Sequence, residues 1–127
     1  MEAVKAELNK TPRSLSKQAR RKQLIEATIK CIADKGLSGT TMADVTQQAG
    51  LSLGIVNLHF QSKEKLLIET LSYISDEYTS GLNEIFNDDN LTAEQKILAH
   101  INFAFGRNMI DRNKLAVWFA FWGETKS

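Results

Sequence analysis

The sequence predicts an all-α protein, and three observations carry that reading. Apolar residues recur at spacings of three and four in segment after segment. Ser and Thr N-caps and glycine C-caps punctuate those segments. Nowhere does a run of alternating apolar and polar residues compete as a strand.

Composition narrows the function classes. With 43% hydrophobic and 24% charged residues, the 127-residue chain is globular rather than disordered, and its size fits one domain or a small domain with part of another. The lone cysteine, Cys31, has no internal disulfide partner and shares a helical face with Leu24, Thr28 and Ile32, so it reads as a small core residue. The N-terminus has no apolar h-region, so no signal peptide is expected. The longest apolar run, Leu115–Trp122, is too short to span a bilayer, and a cytoplasmic protein with no membrane partner is expected. An enzyme is not expected. There is no Ser/His/Asp arrangement, metal-ligand spacing or Gly-rich phosphate loop, the histidines His59 and His100 are far apart, and no cofactor is implied.

Net charge is only +1, but it is unevenly distributed. Residues 1–66 carry 11 Lys/Arg against 6 Asp/Glu, whereas residues 67–127 carry 5 against 9. A basic half facing a polyanion and an acidic half repelled by it is the footprint of a DNA-binding head on an acidic body.

Taken in order, residues 1–15 are expected to form a disordered arm. Arg13, Lys17, Arg20, Arg21 and Lys22 make this end basic, either as a solvated helix start or as an arm touching phosphates or the minor groove. A helix from about Ser16 to Lys35 follows, with a stripe of Leu24, Ile25, Thr28, Ile29, Cys31 and Ile32, and Gly36 stops it. Leu37–Thr40 reads as a loop.

The stretch Thr41–Lys65 organises the rest. Thr41 N-caps a short helix with Asp44 in the capping-box position, Met42, Val45 and Ala49 share its inner face, and Gly50 ends it in a positive-φ conformation. Leu51 plugs the angle between two helices, and Ser52 caps the second, Leu53–Phe60. Val56 and Phe60 point inward, which leaves Leu53, Gly54, Asn57 and Leu58 outward. Such an uncharged outer face suits a groove, so this is a helix-turn-helix with the second helix as reader.

A long amphipathic helix then begins at Ser62 and runs to about Phe86 through Leu66, Leu67, Leu71, Ile74 and Tyr78, a rigid connector. After the loop Asn87–Asn90, Thr92 and Gln95 form a capping box for a helix whose stripe is Ile97, Leu98, Ile101 and Phe105. A break is expected at Asp111–Asn113. The last helix, Lys114 to about Glu124, is apolar nearly all round and must be buried. The expected division is thus 1–15 arm, 16–66 helix-turn-helix head and 67–127 part of an α-helical regulatory body.

The run GTTMADVTQQAGLSLGIVNLHFQSKEKLL resembles the DNA-binding head of the TetR family of bacterial repressors. The matching residues are Thr40-Thr41, Ala49-Gly50-Leu51-Ser52, Gly54, His59-Phe60 and Ser62-Lys63-Glu64-Lys65-Leu66. Leu51 stands where that family usually has Val, and His59 where it has Tyr. Within the family, Ser52–Asn57 and the segment Trp118-Phe119-Ala120-Phe121-Trp122-Gly123 are similar to choline-responsive members that control glycine-betaine synthesis genes. The resemblance implies a repressor that acts as a homodimer on a palindromic double-stranded operator and is released by a small inducer, here choline.

Groove physics assigns the contacts. Leu53 offers apolar contact to a thymine methyl, Asn57 pairs bidentately with adenine, and Gly54 lets the backbone approach. Thr41, Ser52, His59 and Lys63 are expected on phosphates, with Gln47 a further candidate by position. For His59 the alternative is core packing. Trp118, Trp122 and Phe119 give aromatic faces of the kind that attract a quaternary ammonium, with Phe103, Phe105 and Tyr78 lining the same space. The alternative is that these rings fill the core. Members of the family carry two further long helices that build the dimer, so a chain ending at Ser127 is expected to be truncated or to dimerise through a reduced surface. A second reading is a helical interaction module that pairs with a full-length subunit.

Overall fold

A computed structural model describes residues 12–107 and 109–124, with side chains from Lys17 onward. Residues 1–11 of the expected arm, and the side chain of Arg13, lie outside the described residues. Six helices and no strand occur among those described.

Helix α1 (Pro12–Gly39) starts ahead of the expected Ser16. Proline costs nothing at a first helical position, because that N–H has no intrahelical acceptor. Gly36, at φ 78° and ψ 173°, breaks the helical path where a stop was expected, but helical turns resume to Gly39, so most of the expected loop is helical. Buried Thr40 ties off the kink by donating its hydroxyl to the Gly36 carbonyl at 2.7 Å.

Helix α2 (Met42–Ala49) carries the capping box: Asp44 N donates to Thr41 Oγ1 at 3.1 Å and Thr41 N to Asp44 Oδ2 at 2.9 Å. Gly50 closes it in the left-handed region, at φ 69°. Ser52 caps α3 (Leu53–His59) by accepting from Ile55 N at 3.3 Å, and Ser62 caps α4 (Lys63–Phe86) by accepting from Lys65 N at 3.1 Å. Thr92 and Gln95 form the second capping box, on α5 (Ala93–Ala104). The expected break at Asp111–Asn113 lies earlier. Asp111 Oδ1 accepts from Asn113 N and Lys114 N, so Asp111 caps α6 (Arg112–Glu124) and the chain turns between Phe105 and Asp111.

One buried cluster runs through the head and into the body. Leu24, Ile32, Val45, Val56, Phe60 and Leu66 join Ile74 of α4 and Val117 of α6. Thr28 and Thr70 are fully buried, and each donates its hydroxyl to a carbonyl one turn back at 2.7 Å, so neither leaves an orphan donor. Cys31 is buried as expected, and burial pushes its thiol pKa up, the setting of an inert core thiol.

One expectation about the body needs correction, that of a buried last helix, and the helix before it is also open. The stripe of α5 is not buried: Ile97, Leu98, Ile101 and Phe105 are all exposed, and α5 has no buried residue. Among the described residues it packs chiefly on α4, through Phe103, whose ring a Cβ at Gly81 would overlap, and through His100, bonded to Tyr78 Oη at 3.0 Å. Helix α6 is not buried all round either. Val117 is 0% exposed, but Phe119 and Trp122 are 64% and 58% exposed, because α6 packs one side on α1 and α4 and leaves the other open.

The α1–α2 angle is fixed at both ends of α2. Lys35 Nζ meets Asp44 Oδ1 at 2.7 Å, and Gln23 Nε2 donates to the Ala49 carbonyl at 2.7 Å. The Lys35 hydrogen bond, followed by the bonds from Thr41, lowers the Asp44 pKa to about 2. The unfolded value is about 3.9, so Asp44 stabilises the fold above that pH, and its contribution disappears as pH falls through about 2. Urea denaturation at stepped pH checks this: the stability gap between wild type and Asp44→Asn should shrink from pH 4.5 to pH 2, and a gap constant across that range would refute it.

Candidate nucleic-acid interface and adjoining cavity

Helix α3 is seven residues long, too short to hold its shape alone, so packing sets its orientation. Val56, within it, and its C-cap Phe60 are both 0% exposed and pin one side to the core. The opposite side is open. Leu53 is 51% and Leu58 79% exposed, and Gly54 and Asn57 are exposed beside them. A Cβ on Gly54 would find only Ser52 Oγ, at 3.9 Å, so nothing inside the protein demands glycine there.

Polar groups flank this face. Thr41 and Ser52 are exposed, and each cap oxygen accepts a backbone N–H while its own O–H stays able to donate outward. Gln47 is exposed on α2. Lys63, half-buried in the first turn of α4, makes no ion pair with another described residue. His59 is half-buried, and its Nδ1 is enclosed with no hydrogen-bond partner among the described residues. Burial, then the charges of Arg21, Lys17 and Arg20, lower its pKa, so the imidazole is neutral at pH 7. A neutral ring can offer a phosphate a hydrogen bond but not an ion pair.

Arg21 departs from the expectation of a free basic end. Its guanidinium lies 4.5 Å from the Phe60 ring centroid, donates to the His59 carbonyl at 3.0 Å, and pairs with Glu69 of α4. It is a structural joint at the end of α3. Arg20 bonds Gln23, Lys22 faces Glu26 at 3.9 Å, and Lys17 is exposed.

A cavity of about 390 Å³ opens between α4, α6 and the α5–α6 turn. Of the six ring residues expected to share one space, it brings together Trp118, Phe119, Trp122 and Tyr78. Trp118 and Trp122 stand 6.0 Å apart and tilted, and Phe119 meets Trp122 edge-on at 5.7 Å. Phe103 and Phe105 do not line it, contrary to expectation: Phe103 stacks on Tyr78 from α5, and Phe105 is 72% exposed. The charged wall residues Glu77 and Lys114, in contact at 2.8 Å, escaped the sequence reading. A signal existed, since Lys114, Trp118 and Trp122 are spaced by four on one helical face. Among the described residues no group of His, Cys, Asp and Glu is arranged to hold a metal, and no helix is long and apolar enough to cross a membrane.

Residues 24–70, which span the core of α1, the helix-turn-helix and the start of α4, match the profile of the family described as bacterial regulatory proteins, tetR family. The regulator BetI from Escherichia coli O17:K52:H18 is 31% identical over 107 residues, or 84% of this chain. BetI from Escherichia coli K12 gives the same identity and coverage. The chain belongs to the TetR family. A crystal structure from Pseudomonas aeruginosa PAO1, described as that of a transcriptional regulator, superposes with a TM-score of 0.76 at 27% identity, covering 87% of this chain and 53% of the other. A TetR-family regulator from Marinobacter aquaeolei VT8 shares the fold at a TM-score of 0.54 and 22% identity, covering 90% of this chain and 69% of the other. The chain spans about half the length of the curated TetR-family relatives it matches, 55% in the case of BetI. The profile match ends inside α4, so the cavity lies wholly beyond it, whereas the exposed α3 face and Thr41, Gln47, Ser52, His59 and Lys63 fall within it.

Proposed function

We propose that this chain is a sequence-specific DNA-binding repressor in which α3 enters the major groove of a two-fold operator as part of a homodimer. The observation that carries the reading is the open face of Leu53, Gly54 and Asn57, uncharged and bordered by Thr41, Gln47, Ser52, His59 and Lys63. Leu53 meets a thymine methyl, Asn57 pairs with an adenine edge, and the flanking hydroxyls and Lys63 hold phosphates. The basic balance of residues 1–66 supports the same orientation. The likeness to BetI supports a role in choline and glycine-betaine gene control, with the aromatic cavity receiving a choline-like cation that releases the operator. A second reading, an interaction module that pairs with a full-length subunit, is favoured by the exposed α5 stripe. Retention of a random duplex pool by the chain alone separates the two, since only the first reading requires it.

The DNA reading is tested by fluorescence anisotropy on duplexes enriched from that pool. Lys63→Ala should weaken binding to all duplexes alike and lower the salt slope by about one, and an unchanged slope would remove Lys63 from the contacts. Gly54→Ala should stabilise the helix by about 0.5–1 kcal/mol, because the protein has room for the methyl, while weakening DNA binding. Unchanged affinity would show that no backbone approaches DNA there. For the cavity, choline should quench or shift the emission of Trp118 and Trp122 in a saturable way, and a flat titration would refute a choline site.

A further inference from the structure

We propose that Lys114 is a built-in occupant of the cavity's ammonium site, and that a cationic ligand binds by taking its place on Glu77. The inference rests on the reading of the cavity as a ligand site and goes further, assigning two residues that set its selectivity.

Lys114 is the third residue of α6, in the turn where Asp111 Oδ1 already accepts the free backbone N–H groups. A helix N-terminus carries positive partial charge, so an ammonium gains nothing from the helix there. On the α4 side, Nζ contacts both carboxylate oxygens of Glu77, at 3.1 and 2.8 Å. One and two turns further along the same face stand Trp118 and Trp122, and Tyr78 follows Glu77 on α4, all lining one cavity. A carboxylate among aromatic rings is the chemistry that holds an ammonium group.

That carboxylate is already neutralised by the protein's own cation. An incoming quaternary ammonium therefore meets an electrically balanced wall until Lys114 swings away. Because such a ligand donates no hydrogen bonds, it replaces the lysine through ring contacts and charge alone. Displacement also removes a tie between α4 and the start of α6, while Val117 keeps the middle of α6 in the core.

The test measures binding of tetramethylammonium, and of the uncharged choline isostere 3,3-dimethylbutan-1-ol, by calorimetry. The proteins are wild type, Lys114→Met, Lys114→Gln and Glu77→Gln, with folding checked by circular dichroism. Either Lys114 variant should bind tetramethylammonium about fivefold more tightly than wild type, and Glu77→Gln should bind it about fivefold more weakly. The isostere should respond to none of them. Wild-type binding that the folded Lys114 variants leave unchanged or weaken would overturn the proposal while leaving the cavity as a ligand site. Failure of wild type and both folded Lys114 variants to bind either probe would overturn both. If Lys114→Met fails to fold, Lys114→Gln decides, because it removes the charge and keeps a polar tip.

Discussion

The seating of Phe60 under Arg21 is the contact on which the outward face of α3 depends. A buried phenyl ring contributes on the order of 2–3 kcal/mol through burial, and a guanidinium over its face adds about 0.5–1 kcal/mol at a partly exposed site. The same guanidinium satisfies the His59 carbonyl at the end of α3 and pairs with Glu69 on α4. One side chain thus fixes the end of a seven-residue helix against both α1 and α4. Lysine would keep the charge but lose the planar fork that serves the ring, the carbonyl and the carboxylate together.

The helix-turn-helix was legible in the sequence because local chemistry decides it. The Thr41–Asp44 box, the left-handed Gly50, the Ser52 and Ser62 caps and the inward Val56 and Phe60 each need only a few neighbouring residues, and all are found in the structure. Arg21 was misjudged as free basic surface because its partners lie 38 and 48 residues away, and no local pattern encodes them. The exposure of α5 was illegible for a different reason. Its amphipathic stripe and capping box are real, but periodicity tells which face seeks burial and not whether anything in the chain arrives to bury it. Of the rings expected around one space, Trp118, Phe119, Trp122 and Tyr78 line the cavity and Phe103 and Phe105 do not. Helical spacing sets Lys114 on the face of Trp118 and Trp122, but its pairing with Glu77, 37 positions away, carries no signal until α4 and α6 are laid side by side.

Several of the exposed apolar residues cluster on α5 and α6. Ile97, Leu98, Ile101 and Phe105 fall on one helix, and Phe119 and Trp122 lie on the open side of α6. Clustered apolar surface of this kind marks an interaction face rather than ordinary surface. The TetR-family relatives align with this chain over 55% of their own length. The core of the head closes around Val45, Val56, Phe60 and Leu66.

Helix α4 is the element that ties interface to cavity. It starts with Lys63 at the edge of the reading face, carries Glu69 in the Arg21 joint, and reaches Glu77 and Tyr78 on the cavity wall. From Lys63 to Glu77 the rise is roughly 21 Å at 1.5 Å per residue, without a proline or positive-φ break. A straight helix of that length transmits a shift at one end to the other, provided the two ends prefer different placements of it. Glu77–Lys114 pins α4 to α6, and Arg21–Glu69 pins α4 to α1 and the end of α3. Since α6 is itself packed on α1 through Val117, any loosening of the first tie changes the load on the second. On the proposed function, a ligand acts on DNA binding only to the extent that it favours one placement of these helices over another.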